Sequence, residues 1–347
     1  MHPTIDKVTI KQIAEFISGT VNNNTFSESV ITGIKPLHMA LKDDITFFAP
    51  TSKRMHSQLH EIATNSDAGA ILVKEFSQNI KAPQIQIDNP LSAIISLVPL
   101  FYKAPRPAVG IHPSAVIGER VQIGKNVAIG AFVSIGDDVT IGDDTAIFSH
   151  VVIYSGASVG RDCVIHAHAV IREFVCLGSD CVIQNGAVVG GDGFGYLSDM
   201  KVGHMRIPHI GNVVFEDKVD LGANTTVDRA TLGETRIGYG TKLDNLVMIG
   251  HNCNIGKHNL FCAQVGMSGS CTVGNFVVLG GKVGVADHTV IGDNVRAAAL
   301  SGARGTIPPN LEIAGHPWQE ATAWRRAMTC VQKLPEFFKK NKNLFKQ

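Results

Sequence analysis

From Ile111 an aliphatic residue returns at every sixth position, through Ile117, Ile123, Ile129 and Ile135 to Val189, fourteen matches in succession. Glycine follows it at Gly118, Gly124, Gly130, Gly136, Gly142, Gly160, Gly178 and Gly190. A period of six suits neither an α-helix nor a coiled coil and is the signature of a parallel β-helix. Each aliphatic side chain is expected to point into a prism-shaped core, with the following glycine taking turn geometry that a side chain resists. Three hexads make one coil of 18 residues, and coils stack at strand spacing, about 4.8 Å. After an interruption the register resumes at Phe215, Leu221 and Val227, slips by four residues, and runs again from Ile237 to Ile291. The β-solenoid is expected over residues 111–303.

The flanks read differently. Residues 1–103 carry no repeat and are expected to form a small α/β domain. "TIKQIAEFISG" reads as a short helix capped by Thr9 and stopped at Gly19. "AGAILV" and "PQIQID" read as strands, and "NPLSAIISLVPLF" as a helix opened by Asn89 and Pro90. Residues 104–110 form a proline-stiffened linker. Beyond Ala303 the hexads stop, and residues 304–347 read as a capping and docking element of one or two helices.

Aromatics at 6% and 35 glycines suit a β-rich repeat with many tight turns. The N-terminus shows no apolar segment behind a basic start, and the longest apolar stretch, Leu91 to Phe101, is too short to span a membrane. A cytoplasmic location is expected. Seven cysteines without a CxxC pair do not form a disulfide framework and read as small buried or turn-facing thiols. Net charge is +1, but residues 315–347 carry +5 and the rest −4. A basic tail on a mildly acidic body suits an acidic partner; it equally suits a solvated helix face.

The stretch "DNLVMIGHNCNIG" puts His251 where neighbouring hexads put small, acidic or amide residues. Residues 18 apart stack in adjacent coils, so, once the slip is removed, one column reads Arg229, His251, Gly269, Asp287. An imidazole is mostly neutral at cytosolic pH and can act as a general base. The N–H of the stacked glycine can meet a developing oxyanion unhindered. Base plus oxyanion donor is the minimum for acyl transfer to an amine or hydroxyl. An ordinary solvent-facing turn histidine explains the same spacing, as it does for His150, His166 and His168. His288, in the column of Ser270, is a candidate for substrate binding. A zinc site built from His251, His258 and His288 is a further alternative. The segment "VVGGDGFGYLSDMKVGHMRIPHIG" breaks the register. A nucleotide fingerprint would need a following helix, which a solenoid lacks, so it reads as a functional loop. Its Asp192, Phe194 and Tyr196, with Asp228 beside the column, are candidate substrate contacts.

With "GGDGFGY", "TTVDRAT", "DNLVMIGHNCNIG" and "AGHPWQEATAWRR", the chain resembles the UDP-3-O-(3-hydroxyacyl)glucosamine N-acyltransferases of lipid A biosynthesis, nearly end to end. The resemblance implies a left-handed β-helix, a homotrimer, and sites in clefts between subunits. It implies that His251 takes a proton from the glucosamine 2-amine as it attacks a 3-hydroxyacyl thioester on acyl carrier protein. Gly269 would supply the oxyanion N–H, with Asp244, Asn245 and His288 near the site. No cofactor, metal or nucleic acid is implied, since the phosphopantetheine arrives on the carrier protein. Phe47 in "DITFFAP" would stack on the uracil ring; the second aromatic of the family's clamp is absent, with Lys53 at the ungapped position, and Phe48 reads as core. The basic residues Arg325, Arg326, Lys333, Lys339 and Lys340 would dock the acidic carrier protein. Gly302 stands where relatives close the acyl groove with a bulky residue, which predicts an open end and a longer acyl chain. The rival readings are a sister O-acyltransferase acting on UDP-N-acetylglucosamine, expected to lack the N-terminal domain, and a non-catalytic or zinc-binding solenoid.

Overall fold

The computed structural model describes residues 8–22 and 27–341, apart from the side chain of Lys53. The chain divides into two compact units, Met1–Pro105 and Arg106–Gln347.

The first unit is built on a five-stranded sheet in the order Thr20–Val21, Gln84–Gln86, Ala70–Val73, Asp44–Phe47, Gly33–Ile34. All neighbours are parallel except the first pair. Ala70–Val73 is buried along its whole length, as a central parallel strand must be. Helix α1 (Ile10–Phe16) starts in a capping box between Thr9 and Gln12. Its turn-off uses Ser18, at φ 56, rather than Gly19, beside which an added Cβ would meet Ile85 at 2.7 Å. Helix α2 (Lys53–Thr64), capped by Ser52, was not foreseen. Helix α3 (Pro90–Phe101) begins as expected, with Asn89 accepting from the Ser92 N–H.

The second unit is a left-handed parallel β-helix of about eleven coils. Two-residue strands build three faces: the first starts at Gly110–Ile111, the second at Val116–Ile117, the third at Gln122–Ile123. The hexad aliphatics Ile129, Ile135, Ile141 and their successors are buried in one continuous core, joined by Cys163, Cys181, Cys253 and Cys271. Register holds at 18 residues per coil until the excursion, across which Cys176 pairs with Val214; the slip lies between Thr226 and its partner Met248, and the 18-residue register resumes where Arg236 pairs with Asn254.

Apart from Gly190, the hexad glycines have a different cause from the one expected. None of Gly118, Gly124, Gly136 or Gly142 has positive φ. The left-handed residue lies two positions later, at Asn126, Asp138, Asp144 or even Phe132. The glycine is demanded by the coil above it: a Cβ on Gly142 would stand 2.5 Å from the Arg161 nitrogen.

The solenoid also runs past residue 303. Thr306–Ile307 and Glu312–Ala314 extend the third and first faces, after a step of 16 residues instead of 18. A single helix, α4 (Ala321–Lys340), follows among the described residues, exposed along nearly all its length. Among the described residues no helix is long and apolar enough to cross a membrane.

Two substitutions separate the sterics of the glycines from their flexibility. Gly142→Ala is expected to destabilise by about 1–3 kcal/mol, the usual cost of overpacking. Asp180→Gly, at a φ of 57, is expected to be close to neutral. Chemical denaturation of both variants checks the ranking, and the reverse order would restore turn flexibility as the reason.

Candidate active site

His251 sits on the corner between the second and third faces. The strand Met248–Ile249 buries Ile249 in the core, and the chain then turns through Gly250, His251 and Asn252, the last at φ 61. Asn252 sets the histidine. Its Nδ2 donates to the Leu232 carbonyl at 2.9 Å and its Oδ1 accepts from the Thr231 N–H at 2.9 Å, which fixes the amide's orientation. That same oxygen lies 3.0 Å from His251 Nδ1. Nδ1 is therefore the protonated nitrogen, and Nε2 carries the free lone pair. Thr231 and Leu232 belong to the four-residue slip, so the apparent register error is the clamp that selects the tautomer. Sequence reasoning missed Asn252, whose one signal was its place beside the histidine.

Strand pairing places Arg229, His251, Gly269 and Asp287 in one column, as the 18-residue period required. The imidazole lies against Gly269: a Cβ there would stand 2.7 Å from His251 Nε2. At several corners the N–H equivalent to that of Gly269 is taken by a side chain from the next coil, as in Glu119 to Asp137 and Asn275 to Asp293. The Gly269 N–H has no such acceptor among the described residues. A lone pair and an open N–H thus share one corner. His288 is exposed, and its N–H reaches the Gly269 carbonyl at 3.2 Å, one coil above.

The register-breaking segment leaves the second face through a bulge after Val189, with Gly190 at φ 91. It forms an antiparallel arm, Tyr196–Asp199 against Gly203–Arg206. At its root the Asp192 carboxylate lies 3.9–4.0 Å from Arg172, Arg206 and Arg229. Arg229 is buried, pairs with Glu173 at 2.9 Å and donates to the Gly190 carbonyl at 2.7 Å. The Arg172 hydrogen bond holds the Glu173 carboxyl at about 2. Asp228, one coil below Gly250, goes the other way: burial pushes it up to about 6, Asp192 adds to the rise, and His251 opposes it. Phe194 and Tyr196 touch each other at 5.1 Å and are both exposed on the arm.

Other expected site residues do not gather here within one chain. Asp244 and Asn245 occupy the corner between the first and second faces, at the far end of Met248–Ile249 from His251. There Asn245 accepts from the Ala223 N–H at 2.7 Å. His258 stacks on Phe276 and meets Tyr239 edge-on at another corner, so it does not converge with His251 and His288. His150 and His168 stack above Phe132 as surface rings.

The expectation of an open groove end at Gly302 is overturned. Met248, Gly266, Gly284 and Gly302 are successive outward positions on the second face and line a groove of about 600 Å³. Beside Gly266 and Gly284 there is open space. Beside Gly302 the imidazole of His316 occupies the place of a Cβ. Gly302 N–H to Gly315 and Trp318 N–H to Gly302 tie this segment down at 2.9 and 3.0 Å.

In the N-terminal unit Phe47 is half-buried and lines an apolar cavity of about 460 Å³ with Ile34, Leu59 and Ile62. Phe48 packs edge-on against His56 and His60 of α2, as core. On α4, Arg325 pairs with Glu312 at 2.6 Å, while Arg326, Lys333, Lys339 and Lys340 are exposed.

The raised Asp228 carboxyl makes a signed prediction. Its folded value exceeds the unfolded one, about 3.9, so the native chain binds that proton more tightly. The stabilisation is full below pH 4 and is lost as pH rises towards 6. Asp228→Asn should therefore raise the thermal midpoint above pH 6 and leave it nearly unchanged at pH 4. Equal shifts at both values would remove burial as the cause.

A family profile described as GMPPB C-terminal domain matches residues 106–193, within the solenoid. Among solved structures, the Arabidopsis UDP-N-acetylglucosamine acyltransferase superposes with a TM-score of 0.53 at 22% identity, covering 61% of this chain and 73% of that one, which speaks for the fold alone. A UDP-3-O-acylglucosamine N-acyltransferase of Helicobacter hepaticus is 44% identical over 43% of this chain and 46% of its own length. The enzyme of the same name from Thermosynechococcus vestitus is 40% identical over 96% of this chain and 98% of its own. Identity at that level, across both units and the corner that carries His251, makes the chain a member of the UDP-3-O-acylglucosamine N-acyltransferase family.

Proposed function

We propose that the protein transfers a 3-hydroxyacyl chain from the thioester of acyl carrier protein to the 2-amine of UDP-3-O-(3-hydroxyacyl)glucosamine, in the cytoplasm. The observation that carries this reading is His251 Nε2, with its free lone pair, lying against Gly269, whose N–H has no acceptor among the described residues. The amine attacks the thioester carbonyl while Nε2 takes its proton. The oxyanion that forms accepts from the Gly269 N–H. Collapse breaks the C–S bond, and the imidazolium returns its proton to the leaving thiolate. No protein nucleophile is required, and the phosphopantetheine comes with the donor.

The substrate residues support a site shared between copies. Asp244 and Asn245 stand six to seven residues from His251 along one face, up to roughly 20 Å at strand rise. A neighbouring subunit of a homotrimer, bringing its Asp244 corner against this His251 corner, closes that gap. The arm gives the same neighbour something to grip, since Phe194, Leu197, Met200, Val202 and Met205 are exposed. Phe47 and its cavity suit the uracil ring. The exposed cations of α4 suit the acidic carrier protein, and Met328, Val331, Leu334 and Phe338 add an apolar stripe beside them.

The groove from Met248 to Gly302 spans three coil steps, about 14 Å, and suits the donor's acyl chain. Its end is His316. His316→Ala should shift preference to longer chains, with each newly buried CH₂ contributing up to about 0.8 kcal/mol. Competition between donors of different length reads the shift, and an unchanged order would clear His316 of that role.

The reaction itself is tested by acyl transfer with the wild type and His251→Ala. The variant is expected to stay trimeric and to lose on the order of 10²–10⁴-fold in kcat. A wild type inactive with donors of every length would overturn the substrate assignment; an active His251→Ala would overturn the base.

A further inference from the structure

His209 follows the arm, and it is the only histidine among the described residues to be buried, at 7% exposure. Its Nδ1 lies 2.9 Å from the Ile207 carbonyl, which can only accept. Nδ1 is therefore the N–H, and Nε2 carries a lone pair. That Nε2 is fully enclosed and has no hydrogen-bond partner among the described residues. A phenylalanine would fill the same space without hiding a lone pair, so packing does not explain the choice of imidazole.

The ring's neighbour is the base. His209 and His251 meet edge to face, with centroids 5.1 Å apart and planes at 68°. Gly193 makes the approach possible: a Cβ there would stand 2.7 Å from both His209 Nε2 and His251 Cβ. Gly195 does the same on the other side, where a Cβ would come within 2.8 Å of His209 Cε1. The two glycines flanking Phe194 in "GDGFG" are thus the space into which the histidine pair fits.

We propose that His209 is a positioning residue for His251, a neutral imidazole that holds the base's ring against Gly269 and stabilises it once protonated. This rests on His251 being the base. The transferred proton stays on His251; His209, enclosed and already donating to Ile207, takes none. Its enclosed Nε2 lone pair lies beside the imidazolium, a charge–dipole arrangement that favours the charged form in a water-poor site and that a phenylalanine cannot supply. The other titratable or charged groups around His251 are Asp228 and Arg229 from the coil below, Asp192 from the arm root, and Asp287 and His288 from above.

The test uses the full-length enzyme with His209→Phe, which keeps the ring's volume, and His209→Gln, which keeps a donor and an acceptor. The expected result for His209→Phe is an unchanged KM for both substrates, a kcat lower on the order of tenfold, and an acid limb of kcat/KM displaced to lower pH. His209→Gln should lie nearer the wild type in both. A nitrogen-detected NMR titration should show His251 losing proton affinity in His209→Phe, a readout that needs no turnover. A folded His209→Phe with wild-type kcat and an unmoved His251 titration would overturn the proposal. If instead His251→Ala keeps its activity, the base assignment itself falls, and the NMR titration still reports separately on whether the two rings are coupled.

Discussion

Coil on coil at about 4.8 Å is the constraint from which the second unit follows. At that spacing the corner of one coil runs directly against the backbone of the next. Gly118, Gly136 and Gly142 leave no room for a β-carbon because carbonyl carbons and amide nitrogens of the following corner stand within 2.7 Å of where it would be. Aliphatic residues fill the prism; glycines let it close. Left-handed backbone at the corner is a separate demand, met two residues later by whichever side chain is there, Asp138 and Phe132 alike.

A structure this repetitive can hold chemistry only where the repeat is broken. Three departures converge on one corner: a histidine where hexads put small or polar residues, a four-residue slip, and the arm between Gly190 and Gly211. The slip presents Thr231 and Leu232 to Asn252, which orients His251. The arm returns His209 to the same ring. Below them the buried Arg229 ties the arm root to Glu173 and Gly190, so the electrostatics of Asp192 and Asp228 are set by the same excursion. The repeat supplies rigidity, and the irregular residues borrow it.

Some of this was legible because it depends on short-range periodicity. A six-residue repeat needs no distant partner to be recognised, and the 18-residue period carried the column from Arg229 to Asp287 directly into space. Other parts escaped for physical reasons. Helix α2 has no glycine stop, and its first residue, Lys53, reads only as the place of a missing aromatic. The final coil hid because its step shrinks to 16 residues between Ala303 and Thr306, where Gly305 takes a φ of 68. His316 closes the groove beside Gly302 by that same last coil, a contact no hexad register foretells.

The sequence alone determined the solenoid, its coil period and the pairing of His251 with Gly269, because stacking turns a fixed spacing into a fixed neighbour. Tertiary structure decided which nitrogen of His251 is basic, which ring stands behind it and where the groove ends. Those depend on Asn252, His209 and His316 meeting partners across the slip, the arm and the last coil, where spacing no longer implies proximity.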